Sequence, residues 1–144
     1  MGAAQLTEFL RRQRSVPPSD VKDEWTKALT GLFDQMRAWL KPAQDEKLLN
    51  VEAPMMTINE PSLGTYDAIS LRILAGARVV DVQPVARVVF GGSGRVDMGS
   101  GPRMRVIMRT PDKSQWLVST SDPKDEGELL TEETFTEALQ YLLA

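Results

Sequence analysis

The sequence predicts an α+β fold: N-terminal helices, an antiparallel β-meander of about five to seven strands, and a C-terminal helix packed on one face of the sheet. Three observations lead there. A 3.6-residue apolar period fills the first third of the chain, a two-residue period broken by glycine and proline turns fills the middle, and the helical period returns in the last dozen residues. The middle segments follow one another through connections too short for the crossover that a parallel pair needs. At 144 residues, 42% apolar and 26% charged, the chain reads as a single domain over 1–144 that builds its core without disulfide or metal staples.

Residues 1–16 read as an N-terminal arm. Leu6, Phe9 and Leu10 form a short helical stripe that runs into Arg11, Arg12 and Arg14, and Pro17-Pro18 then interrupts the helix. A long helix is predicted over 20–41, capped by Ser19 or Asp20, with Asp20, Asp23 and Glu24 placing negative charge where a helix N-terminus favours it. Its broad apolar face comprises Val21, Trp25, Ala28, Leu29, Leu32, Phe33, Met36, Trp39 and Leu40, and Pro42 closes it.

The sheet is expected over 46–120. KLLNVE and MMTINE read as short strands separated at Pro54, and PSLGTY as a turn. YDAISLRIL meets ARVVDVQ across Ala75-Gly76 as a hairpin, and Pro84 ends the second strand or marks a bulge at its edge. VARVVF, RVDM, RMRVIMR and QWLVST complete the run, followed by the acidic loop DPKDEGE. The last helix, over 131–143, buries Phe135, Ala138, Leu139 and Leu142. Its start is a capping box of Thr134 with Glu137 or, one turn earlier, a cap at Thr131.

The absence of cysteine and histidine removes the thiol nucleophile, the imidazole base and the usual zinc and haem ligands. No catalytic residue, cofactor or metal ligand is assigned. The stretch FGGSGRVDMGSGP, residues 90–102, has five glycines but lacks the third glycine of a dinucleotide loop, the lysine of a P-loop and a following helix. It reads instead as a four-residue strand between two turns, with Gly91, Gly92 and Gly94 serving the first turn and Gly99 and Gly101 the second. Arg95 and Asp97 fall on one face of that strand, with Arg103 as their neighbour.

The charge layout carries the functional expectation. Residues 66–110 hold seven arginines against three aspartates, a net +4, and residues 111–144 hold two lysines against eight acidic residues, a net −6. Arg103, Arg105 and Arg109 alternate with Met104, Val106 and Met108, and Arg72 and Arg87 alternate similarly in their own segments, so an arginine-lined, solvated sheet face is expected. The candidate binding residues are Arg72, Arg87, Arg95, Arg103, Arg105 and Arg109, together with Arg11, Arg12 and Arg14 of the arm. The expected role is non-enzymatic binding of a protein partner, or of a second copy as a homodimer. Nucleic acid is the alternative, weakened by a net charge of −3, a pI near 5.0 and the assignment of Phe90 and Trp116 to the core rather than to base stacking. A third reading, a magnesium-dependent nuclease-like site on Asp112, Asp122 and Lys124, rests on a Pro-Asp…Asp-x-Lys spacing whose middle residue is Pro123. The N-terminus lacks a secretory apolar run and no stretch approaches a membrane span of about 20 residues, so no membrane association and a cytoplasmic location are expected. Eleven arginines against six lysines suggest a bacterial, GC-rich coding sequence.

Overall fold

The computed structural model describes residues 2–14 and 18–144, without the side chains of residues 8, 9 and 11–14. Helices α1 (Ala3–Arg14) and α2 (Pro18–Asp45) come first. Strands β1 (Asn50–Glu52), β2 (Met55–Glu60), β3 (Gly64–Ile69), β4 (Leu71–Ala75), β5 (Arg78–Ala86), β6 (Arg95–Ser100), β7 (Arg103–Arg109), β8 (Trp116–Ser119) and β9 (Glu128–Leu129) follow, and α3 (Glu132–Leu143) closes the fold. The fold is α+β. A seven-stranded antiparallel sheet runs in the order β1-β4-β5-β6-β7-β8-β9, and β2 and β3 form a two-stranded sheet of their own.

Alternation along the strands decides the layers. Leu71, Ile73, Val80, Val82, Val96, Met98, Ile107 and Val118 all turn to one side, where they meet Trp25, Leu29, Phe33 and Met36 of α2 and Phe135, Leu139 and Leu142 of α3. The opposite face carries Arg72, Asp81, Arg95, Asp97, Met104 and Met108, as the registers Arg72↔Asp81 and Arg95↔Met108 require.

Several elements differ from their sequence-based expectation. Helix α2 starts at Pro18, so Ser19 and Asp20 lie inside its first turn rather than capping it, and proline suits that first position because its missing N–H has no intrahelical partner there. It also continues through Pro42 to Asp45. Pro42 frees only the carbonyl of the exposed Ala38, which water satisfies, and the helix ends where Lys47 adopts φ 61°. YDAISLRIL is two strands rather than one. The Ser70 amide and hydroxyl both donate to the Pro54 carbonyl (2.9 and 2.8 Å), and the ladder is interrupted there because Pro54 has no N–H to return, while the register is unchanged from Glu52↔Arg72 to Met55↔Ile69. The outer half of that hairpin, β2–β3, contacts α2 and β5 instead of extending the main sheet.

Pro84 does sit at a bulge, with a register shift between Pro84 and Ala86. Beyond it VARVVF is not a strand: only Val85 and Ala86 belong to β5, and residues 87–94 form a loop. In the acidic segment Glu128 and Leu129 add β9 against β8. The α3 cap is Thr131, whose hydroxyl accepts from the Thr134 amide (3.2 Å) while the Thr134 hydroxyl accepts from the Thr131 amide (2.8 Å). No helix among the described residues is long and apolar enough to cross a membrane.

Candidate functional site

The polar groups with the most unusual surroundings gather at one end of the molecule, where the 87–94 loop, the C-terminal end of β7 and the N-terminal half of α2 converge. Arg109 stands at the centre, 2% exposed. Its two terminal nitrogens bond both oxygens of Glu24 at 2.8 Å, a bidentate fork, and its Nε and one Nη donate to the Ser93 carbonyl at 3.2 and 2.9 Å. The guanidinium lies 5.2 Å from the Trp25 ring and 5.8 Å from the Trp116 ring, and those two rings are 5.9 Å apart. Burial would otherwise make this charge costly; a fork, a carbonyl and two aromatic walls replace the lost water. The same fork holds the Glu24 carboxyl below its ordinary range, because the hydrogen bonds from Arg109 stabilise the anion.

A second engaged carboxylate, this one buried, is Glu60 at the tip of the β2–β3 hairpin. It accepts from the amides of Arg87 and Val88 at 3.0 Å and from the Tyr66 hydroxyl, so one side chain satisfies the donors of a loop that the sheet ladder does not reach. Burial raises the Tyr66 hydroxyl pKa, and the neighbouring Glu60 carboxylate raises it further. This clamp explains why the chain leaves the sheet after Ala86: the next two amides, of Arg87 and Val88, are taken by Glu60.

The loop's other end is tied to β7. The Ser93 amide donates to the Arg109 carbonyl (2.9 Å) and the Arg109 amide to the Gly94 carbonyl (2.8 Å), while the Ser93 hydroxyl caps the Thr110 carbonyl. Two glycines are required by close approach. A Cβ on Gly94 would fall 2.2 Å from the Trp25 ring at φ 149°, and one on Gly92 would fall 2.7 Å from the Arg109 carbonyl oxygen. Gly92 and Gly99 do not have positive φ, so the turn reading holds for Gly91, Gly94 and Gly101 only.

Between these two ties the loop presents apolar side chains to solvent. Phe90 is 102% exposed and Val88 is exposed as well, as is Val85 at the end of β5. The expected core position of Phe90 is therefore wrong, because once Glu60 and β7 pin the ends of the loop no core position remains at residue 90. Trp116 does pack against the core, half-buried. At the root of the loop Arg87 is half-buried, with its Nε buried and without a partner among the described residues. Burial, and then the neighbouring Arg109 charge, hold its pKa below the usual arginine value.

The remaining arginines do not form one face. Arg72 pairs with Asp81 across the strands (3.0 Å) and Arg95 with Asp97 along its own strand (2.8 Å), both on the face away from the helices. Arg103 and Arg105 lie on the helix-covered side. Arg103 donates to the Tyr141 and Ala144 carbonyls at 2.6 and 2.7 Å, closing the C-terminus of α3, and Arg105 stacks 3.7 Å from the Tyr141 ring centre. The strand-face arginines thus separate into two surface pairs, two α3 anchors and the buried Arg109. Arg11, Arg12 and Arg14 fall on α1, and their side chains lie outside the described residues.

Asp112 sits at the β7–β8 turn and accepts from the Thr110 hydroxyl (2.6 Å), the Ser114 hydroxyl (2.7 Å) and the Ser114 amide (3.0 Å). These bonds push its pKa down to about 2 and give it the role of a turn brace. Asp122 accepts from the Lys124 amide (2.9 Å) in the acidic loop. Among the described residues no three acidic side chains gather as a metal site would require. The residues that sequence reasoning missed are Glu24, Glu60, Phe90 and Val88. Only an unusual pairing of a hydrophobic residue with glycines, Phe90-Gly91-Gly92, hinted at the exposed loop. No protein-family model matches the chain, and the searches returned neither a curated protein nor a solved structure similar to it.

Proposed function

We propose that this chain is a non-enzymatic binding domain that docks onto another protein through residues 85–90, with Phe90 as the apolar anchor and Arg87 as the charge that orients it. The observation that carries the reading is the full exposure of Phe90 on a loop tied down at both ends. A solvent-exposed phenylalanine gains nothing for its own fold, whereas a preorganised aromatic loses little entropy when it enters a partner's pocket. Val85 and Val88 add exposed apolar surface close to Phe90 in sequence, and Arg87 between them carries the charge. The local charges favour an acidic partner rim. Glu24 is committed to Arg109 and Glu60 to backbone amides, so neither neighbouring carboxylate pairs with the guanidinium of Arg87. The same commitments support a non-enzymatic role, since both carboxylates are engaged in holding structure together. The other strand arginines enter this reading as scaffold, being engaged with the protein's own carboxylates, carbonyls and aromatic rings.

A photo-crosslinking phenylalanine analogue at position 90, incorporated in the source organism's own cells, tests the reading. A discrete protein adduct is expected, and Val88→Asp or Arg87→Glu should abolish it. The absence of any adduct at position 90, or an adduct indifferent to both substitutions, would sink it.

A further inference from the structure

A different surface lies along α2. Ala28, Gly31 and Gln35 recur at helical spacing and form one wall of an open groove of about 470 Å3, facing Trp116 and Leu130, with Trp39 at one end. Gly31 is in the middle of the helix, where glycine is about 1 kcal/mol less favourable than alanine. A Cβ there would meet nothing within 4 Å. Nothing among the described residues requires glycine at this place. Its absent side chain leaves room for the backbone of another helix to come close.

An element of matching form is present in the chain itself. Leu6 and Leu10, one turn apart on α1, are 57% and 51% exposed. Twelve residues make α1 about 18 Å long, and the α2 stretch from Glu24 to Trp39 that borders the groove is about 22 Å. The charges choose a direction. The C-terminal end of α1 carries Arg11, Arg12 and Arg14. At the Glu24 end of the groove the lining cations Arg109 and Lys113 outnumber the one lining acid, Glu24. At the other end Trp39 stacks 5.4 Å from Phe135, beside the first turn of α3 with its Glu132 and Glu133. An incoming α1 therefore seats with its arginines at the Trp39 end and runs parallel to α2. A return by the chain's own α1 would run antiparallel and put those arginines at the end lined by Arg109 and Lys113.

We propose that the groove receives α1 of a second copy of this chain, and that two copies exchange their N-terminal helices reciprocally in a two-fold dimer. These surfaces are separate from the Phe90 loop, so the crosslinking experiment above and the one below fail independently.

The chain has no cysteine, so introduced thiols report without background. Mixing Leu10→Cys chains with Gly31→Cys chains under oxidising conditions should give a disulfide-linked heterodimer. Light scattering of the unmodified protein should show a mass that doubles with concentration. Leu6→Glu with Leu10→Glu should leave the monomer mass, and so should Gly31→Met, which fills the groove from its own wall. Circular dichroism and thermal unfolding should confirm that both variants remain folded. A monomer at every concentration overturns the proposal. So does a Leu10→Cys/Gly31→Cys double variant that closes only within one chain, which would make the occupant the chain's own helix. A dimer that survives both the leucine and the Gly31 variants would place the interface elsewhere and overturn it as well.

Discussion

At the scale of single residues, two glycines that look alike in the sequence have different tasks. Gly101 turns the chain at φ 57° with nothing near its missing Cβ, so Gly101→Ala should cost about 1 kcal/mol of backbone strain. Gly94 combines φ 149° with the Trp25 ring 2.2 Å from where a Cβ would stand, so Gly94→Ala should cost about 3 kcal/mol or more. Urea midpoints of the two variants test the difference, and equal losses would contradict the packing account. Glu24 gives a pH prediction. Its carboxyl is held below the ordinary 4.5 by the Arg109 hydrogen bonds, so the folded state binds its proton less readily than the unfolded state does. That contribution is present above pH 4.5 and is lost as pH falls through the lowered folded value. Because the Glu24 side chain is 41% exposed, solvent screening reduces the size of the effect. Stability of Glu24→Gln should lie below that of the unmodified protein at neutral pH, and the gap should narrow on acidification. A gap that is flat with pH would show that the fork does not govern the titration.

At the scale of elements, the Glu60 clamp joins parts of the chain that sequence patterns treat separately: the tip of β2–β3 and the loop after β5. Glu60→Ala leaves the Arg87 and Val88 amides and the Tyr66 hydroxyl without their acceptor, and should cost about 3 kcal/mol. Amide exchange of residues 87–94 should rise more than that of β6 and β7, and protection that falls uniformly would argue against a local clamp. The helices and most strands were legible beforehand because their apolar periods are strong. The Trp25-to-Leu40 stripe predicts α2, and the alternation in β7 predicts a strand. The misreadings have particular causes. VARVVF has the β-branched composition of a strand, but its amides are captured by a carboxylate 27 residues away in sequence. In YDAISLRIL nothing local reveals that Ser70 will face Pro54, whose missing N–H interrupts the ladder.

At the scale of the whole molecule, the sheet is strongest at its centre and shortest at its edges. β1 has three residues and β9 two, while β5, β6 and β7 are paired on both sides. Hydrogen exchange should accordingly be slowest in β5–β7 and in the buried face of α2, and fastest in β9; strong protection of β9 would mean that something covers that edge. The division between sequence and tertiary structure follows from what each period encodes. Spacing along the chain determines whether a segment is helical or extended, that the strands run antiparallel, and which residues share a face. It does not say which of the two faces is covered. In RMRVIMR the arginines and the methionines are equally regular, and only the docking of α2 and α3 puts Arg103, Arg105 and Arg109 on the covered side, beneath Tyr141 and against Glu24. The same holds for Phe90. Its exposure is decided by the distant Glu60 and β7, which settle where the loop is tied, and no local pattern carries that information.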